Sequence, residues 1–408
     1  MLIQSPVKFD AYVYTGEYLE NPYPYYDELR ENAPVFWSER LGAWLLTRYD
    51  DVQAAFRDPR LISGDRMAAY FSQLPEPVHA EVQPLCQHLE AWLVFMDPPD
   101  HTRLRVLVNK AFTGRMVENL RPRIQTIVEE LLDRVQPAGQ IDLITEFAFP
   151  LPVMVISELL GIPIADQEKF KKWTKDLTAF TGAGRARPEL ARQAQKSVQE
   201  LTGYFRDIAR QRRQNPGEDL LSGLVAVVEG EDRLSEAELF GMSALLLAAG
   251  HDTTVGLIGN GLLALLRHPD QRQKLQADPS FIEMAVEELV RYDNSLQYQQ
   301  RVAAEDLVLR GQNIQRGQRV MLMLGAANRD PAQFPNPNQL DICRQPNRHV
   351  AFGYGIHFCL GAPLARLEGQ IAINAILRRM PNLRLAGQPI RWREELSNRN
   401  PQSLPLLF

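Results

Sequence analysis

The sequence has little cysteine: Cys86, Cys343 and Cys359 are the three thiols in 408 residues. An odd, scattered set of this kind excludes a disulfide scaffold and points to a reducing compartment. An excess of one charge is also missing. Lys+Arg 45 against Asp+Glu 50 leaves −5, too near neutral for a polybasic nucleic-acid binder or a membrane-adhering surface. No window offers the roughly 18 uncharged apolar residues of a membrane span. The N-terminal stretch carries Lys8, Asp10, Glu17 and Glu20 where a signal peptide has its apolar core. Internal repeats, low-complexity tracts and Pro-, Gly- or Ser-rich linkers are absent too. The expectation is a cytoplasmic chain of ordinary globular composition, a single domain over 1–408, with no membrane anchor and no nucleic-acid partner.

What is present is mostly helical. The pattern predicts helix from about 98 to 295, broken at Gly182-Ala183-Gly184 and at Glu229-Gly230-Glu231-Asp232, and again at about 360–380. Strand signals gather at about 30–60, 300–325 and 383–408. Pro34–Trp37 and Ala43–Thr47 flank Arg40-Leu41-Gly42 as a hairpin, and Leu307–Leu309 and Arg319–Met323 turn through Gly311 and Gly317. Many helices with few short strands make a mainly α body with small β-sheets, an α+β class.

One helix stands apart. Ser235-Glu236-Ala237-Glu238 is a capping box, and the apolar run behind it reaches Leu266 before His268-Pro269 stops it. That is roughly 32 residues, or ~48 Å. Ala244–Ala249 is apolar on every face, so the helix is buried. Gly250-His251-Asp252-Thr253-Thr254 then interrupts with poor helix formers. An Asp and a Thr at such a place need partners or a chemical role. A locally satisfied kink, with a Thr hydroxyl bonded back to a carbonyl, is the plainer of the two readings.

The densest constellation is His349–Arg366, where three glycines surround Cys359 and a helix follows at Pro363. Glycine lets backbone approach a ligand closely, and a helix N-terminus favours thiolate. Three readings stand side by side: an inert buried cysteine, a zinc site from Cys343, His349, His357 and Cys359, whose spacings match no usual finger or ribbon, and haem iron with an axial thiolate. A covalently attached c-type haem is excluded, since there is no C-x-x-C-H.

Phe352-Gly353-x-Gly355-x-His357-x-Cys359-x-Gly361 resembles the cysteine signature of the cytochrome P450 haem-thiolate monooxygenases, and further motifs follow in that family's order along nearly the whole chain. The resemblance, closest to the soluble bacterial members, implies a triangular helical body with the long helix over the haem. It implies a non-covalent haem b with Cys359 as proximal ligand and Phe352, Gly353 and Gly361 around the sulfur. His101, Arg105, Arg301 and His357 would bind the propionates. Asp252 and Thr253 would be the oxygen-activating pair of a locally loosened helix, Thr253 donating to dioxygen and Asp252 relaying protons, with His251 outside the motif's fixed positions. Glu288 and Arg291, on a helix opened by a second capping box at Ser280–Glu283, would form a structural ion pair, its third partner among Asn347, Arg348 and His349.

Monooxygenation of a small to medium organic substrate with dioxygen follows from the resemblance, the products being hydroxylated or epoxidised. Leu245, Ala248, Ala249, Leu296 and Gln297 would line the pocket, with polar Gln297 hinting at a polar function on the substrate. Segments 62–95 and 165–205 would form a lid, turning at Gly182–Gly184. No flavin or iron–sulfur module is visible, so electrons would come from a ferredoxin and its reductase, met by Arg103, Lys110 and Arg366. A peroxide-driven peroxygenase and a non-catalytic haem sensor are the alternatives. The Asp252-Thr253 pair speaks against the first.

Overall fold

A computed structural model describes residues 8–182, 186–229 and 232–408. Helix makes up about 59% of the chain and the sheets are small, the class the sequence predicts. Val35–Ser38 and Ala43–Leu46 form the expected hairpin, with Val35 opposite Leu46 and Ser38 opposite Ala43. Gly42 makes the reversal at φ 58°, a left-handed value that glycine adopts without strain. Arg319–Leu322 joins Ala43–Leu46 in parallel, Gln299–Ala303 pairs antiparallel with Arg319–Leu322, and Leu61–Ile62 completes a five-stranded sheet. The register sets Arg301 opposite Val320 and so fixes where the chain after Gln297 runs.

The second strand cluster divides. Leu307–Leu309 pairs with Gln312–Ile314 across Gly311, while Arg319–Leu322 leaves for the large sheet. Gln140–Asp142 is a strand inside a stretch that reads as helical. Its partner is Pro405–Leu407, and only pairing with the far C-terminus makes it a strand.

The long helix is Glu236–Arg267, 32 residues, opened by the predicted box: Glu238 N–H donates to Ser235 Oγ at 3.2 Å and Ser235 N–H to Glu238 Oε2 at 2.8 Å. It is buried on nearly every face within the largest apolar cluster, and each buried Leu or Ile there contributes roughly 1.5–3 kcal/mol. The second expected box does not form. Asp278 accepts from Ser280 N–H at 3.0 Å and caps a short turn, Pro279–Phe281, ahead of the helix Ile282–Tyr292. Pro279 fits the first position of a turn, which moves the cap two residues upstream of Ser280. After the cysteine loop, helix runs over Ala362–Arg379 with Pro363 in its first turn.

Asp65–Phe71, Glu76–Glu81, Gln83–Glu90, Gln167–Thr181 and Pro188–Gln214 are the helices of the two expected lid segments. Ala183 and Gly184 of the expected turn lie outside the described residues, as do Gly230 and Glu231 of the other break. No helix among the described residues is long and apolar enough to cross a membrane.

Candidate active site

A cavity of about 250 Å3 separates the long helix from the loop that carries Cys359. Leu245, Ala249, Gly250 and Thr253 face it from the helix, a stripe fixed by i, i+4 and i+8 spacing. Phe352, His357, Cys359 and Gly361 face them from the loop, and His101, Arg105 and Leu296 close other sides. The helix continues unbroken through 250–254, so the predicted loosening is absent. Thr253 Oγ1 donates to the Ala249 carbonyl at 2.9 Å and Thr254 Oγ1 to that of Gly250 at 3.2 Å. These hydroxyls add to the helical ladder and do not open it.

The loop geometry explains its glycines. Gly353 and Gly355 have φ 73° and 68°, and Gly353 does not itself line the cavity. Their turns bring Cys359 N–H to the Phe352 carbonyl at 2.8 Å. Burial pushes the Cys359 thiol up, opposed by the N–H groups of Gly361 and Ala362 and by the charges of Arg105 and Arg366. Its accessible surface faces the cavity. Phe352 packs 4.5 Å from the Arg366 guanidinium, and Arg366 is paired with Glu287. The zinc reading is not assembled: His349 bonds Glu287 at 3.1 Å, and no group of three or more metal-ligating side chains converges among the described residues.

At one edge the structure gathers more positive charge than it neutralises. Arg66, His101, Arg105, Arg301 and His357 meet there, and the His101 and His357 rings lie 4.3 Å apart. Asp97 lies nearby, but its carboxylate accepts the N–H groups of Ser63 and Gly64. Both His101 nitrogens and Arg301 Nη2 are buried without a partner. Burial pushes Arg66 down to about 9 and Arg301 to about 10. Burial and the neighbouring cations push His101 down to about 4 and His357 to about 2. Unpaired buried donors and mutually repelling cations are the complement of a ligand bearing carboxylates. With a cysteine sulfur below and an apolar helix face above, this donor set fits a haem with two propionates.

On the far side of the long helix, Asp252 accepts from Arg393 Nη1 at 3.1 Å and its backbone carbonyl accepts from Asn400 Nδ2 at 2.8 Å. Burial would raise its carboxyl; the His251 contact and the Arg393 guanidinium outweigh that and hold it below the usual carboxylate range. Glu288 and Arg291 form a fully buried, bidentate pair at 2.7 and 2.8 Å. The third charged partner is Arg344, 3.1 Å from Glu288, not one of the three expected. Of those, Asn347 also donates to Glu288 at 3.2 Å, the Arg348 carbonyl accepts from Tyr49, and His349 serves Glu287.

Two expected pocket residues lie elsewhere. Ala248 is buried and off the cavity lining. Gln297 points away from it, accepting from Tyr26 Oη at 3.1 Å and donating to the Asn294 carbonyl at 2.5 Å. Its polarity is consumed by the fold, which removes the hint about the substrate. Arg103 is tied to Asp232 and Glu238. Sequence reasoning missed Arg66, Arg344, Arg393 and Asn400, each contributed by a segment without a motif. It also missed Glu368, buried against the cavity with Oε2 unpartnered and its carboxyl held well above the usual range by burial.

The chain is similar to known proteins over nearly its whole length. The family model described as Cytochrome P450 matches residues 67–381. The polyketide biosynthesis cytochrome P450 PksS of Bacillus subtilis is 43% identical over 96% of this chain and 96% of its own. The vitamin D(3) 25-hydroxylase of Pseudonocardia autotrophica is 45% identical, covering 92% of this chain and 90% of its own. The crystal structure of P450BioI in complex with hexadec-9Z-enoic acid ligated acyl carrier protein superposes with TM-score 0.88 at 40% identity, over 96% of this chain and 99% of that one.

Proposed function

This chain belongs to the cytochrome P450 family, whose monooxygenase oxidoreductases act on an organic substrate and dioxygen at a cysteine-ligated haem iron; from that premise we propose that it hydroxylates or epoxidises a small to medium lipophilic substrate with electrons from a separate ferredoxin. The observation that carries the reading is one cavity with Cys359 on one wall, Thr253 on the opposite wall and unneutralised cations at its edge. The haem, which we take to be haem b in a single domain over 1–408, supplies the redox chemistry that places one oxygen atom of dioxygen in the substrate and the other in water.

The protein's own part is ligation, orientation and proton supply. Cys359 holds the iron. His101, Arg105, Arg301 and His357 hold the propionates, with Arg66 behind them, and the ligand carboxylates satisfy donors that are otherwise unpaired. Thr253, whose hydroxyl bonds the Ala249 carbonyl at 2.9 Å, donates into the cavity when that bond is exchanged. Asp252 passes protons to it. Leu245, Ala249 and Leu296, with Val94 and Met242, give the substrate a dry apolar wall.

The relatives' names mention polyketide biosynthesis, vitamin D(3) and a carrier-bound fatty acid; apolarity is what we carry over. Three free thiols suit a cytoplasmic setting. Arg103 and Arg366 are internally paired, so we take carrier docking to depend on the charge of that face as a whole.

The test is a screen of polyketide, sterol and fatty-acyl compounds against the purified holoprotein, following the ferric spectrum, then turnover with a ferredoxin and its reductase. Wild type is expected to give a thiolate-type carbon-monoxide spectrum and oxygenated product. Cys359→Ser is expected to lose that spectrum and turnover while remaining folded by circular dichroism. An unchanged carbon-monoxide spectrum in the variant would overturn the ligand assignment. Product formed with peroxide but not with the reductase pair would overturn the electron route.

A further inference from the structure

The relay above makes no use of His251. It is 5% exposed in the middle of the long helix. Its Nε2 lies 3.3 Å from the Phe149 carbonyl oxygen, its Nδ1 lies 3.4 Å from Asp252 Oδ1, and its ring meets the Phe149 ring edge-on at 4.3 Å. A backbone carbonyl only accepts, and an ionised carboxylate only accepts. A neutral imidazole has one N–H, so one of the two contacts would set lone pair against lone pair. With the carboxylate ionised, a ring that donates from both nitrogens satisfies both contacts. The segment before Phe149, Ile144–Ala148, is wound as a π-helical turn, a distortion common at functional positions.

The other charged groups around this pair are few. From the C-terminal segment come Arg393, 3.1 Å from Asp252, and Glu395, whose carboxyl is raised by burial. From the helix Gln167–Thr181, Lys171 Nζ stands 5.3 Å from the Phe149 ring. From the strand-and-turn segment before Phe149, Glu146 accepts from Asp142 N–H. The first titratable side chain of the helix Pro150–Leu159 is Glu158, which bonds Arg123.

We propose that His251 is a positioning residue that loads Asp252 with the proton the relay delivers. In the step the Nδ1–H bond breaks and the proton passes to Asp252 Oδ1. The ring is left neutral with its Nε2 proton on the Phe149 carbonyl. Asp252 gives its proton up toward Thr253, and a proton from solvent restores Nδ1–H; no electron moves. This rests on the Asp252-Thr253 relay of the proposed function.

The test measures coupling, product formed per reductant consumed, against pH in the holoenzyme for wild type, Asp252→Asn and His251→Gln, with histidine 15N spectra of the diamagnetic ferrous carbon-monoxide form. Wild-type coupling is expected to fall as pH rises. His251→Gln is expected to release roughly tenfold more peroxide at low pH, below the range for a direct acid–base group, and to show no such pH dependence. The Nδ1 proton is expected to persist to higher pH in wild type than in Asp252→Asn, a readout independent of turnover and of whether His251→Gln folds. Superimposable pH profiles for His251→Gln and wild type, or identical ring titrations with and without the carboxylate, overturn the inference. Unimpaired coupling in Asp252→Asn overturns the relay itself.

Discussion

At the scale of single residues, charge is concentrated where no protein group neutralises it. His101 is held at about 4 against an ordinary 6.5, by burial and by Arg105. A histidine whose folded value lies below its unfolded one binds fewer protons folded than unfolded between the two. Its contribution is complete above 6.5 and is lost as pH falls toward about 4; that interval amounts to about 3 kcal/mol. The apoprotein is therefore expected to lose urea resistance steeply from pH 7 to 5. His101→Phe is expected to flatten that slope, and haem, bringing two carboxylates, to flatten it in wild type. Equal slopes for apo wild type and His101→Phe would remove His101 from the cluster. Such positions were legible because Cys359, His101 and Arg105 sit at fixed spacings within single segments. Gln297 was misread because the chain between the helix Ile282–Tyr292 and the strand Gln299–Ala303 is irregular, so no period fixes where its side chains point. Leu296 and Gln299, three residues apart, face the cavity, and Gln297 faces Tyr26. Arg344 and Arg393 were invisible because irregular chain carries them to Glu288 and Asp252.

At the scale of elements, the long helix was legible from end to end, since a capping box and a proline bracket a long, mostly apolar run. Its glycines have separate reasons. A Cβ on Gly256 would fall 2.1 Å from Asn400 Oδ1 and 2.5 Å from Ser295 Cβ, and Asn400 is the residue that donates to the Asp252 carbonyl. Gly256→Ala is therefore expected to cost about 1–3 kcal/mol by overpacking and to raise peroxide release by displacing the segment that steadies Asp252. Gly203, in the helix Pro188–Gln214, has nothing within 4 Å of its Cβ position. Gly203→Ala is expected to stabilise by about 0.5–1 kcal/mol, since only backbone entropy is at stake there. Thermal melts of the two variants check both signs. Short strands such as Gln140–Asp142 are the opposite case, because their identity depends on a partner that no local window contains.

At the scale of the whole molecule, the two segments expected to cover the cavity are fastened to each other. Tyr70 Oη donates to the Phe180 carbonyl at 2.5 Å, its ring lies 5.1 Å from that of Phe180, and Leu85 N–H donates to Gln195 Oε1 at 2.7 Å. These are buried clasps. Outside them Arg192 and Glu81 pair at 2.8 Å with half of each side chain exposed, a contact worth about 0–1 kcal/mol. If substrate enters by parting these segments, the inner clasp governs the rate and the outer one does not. Tyr70→Phe removes one buried hydrogen bond and keeps the ring packing, a loss of about 1 kcal/mol and so about a fivefold larger open population. Stopped-flow spectra of substrate binding to the holoprotein are expected to show association several-fold faster in Tyr70→Phe and unchanged in Arg192→Ala. Equal acceleration by both would place the barrier at the surface, and no acceleration by either would mean that substrate reaches the cavity without separating Tyr70 from Phe180.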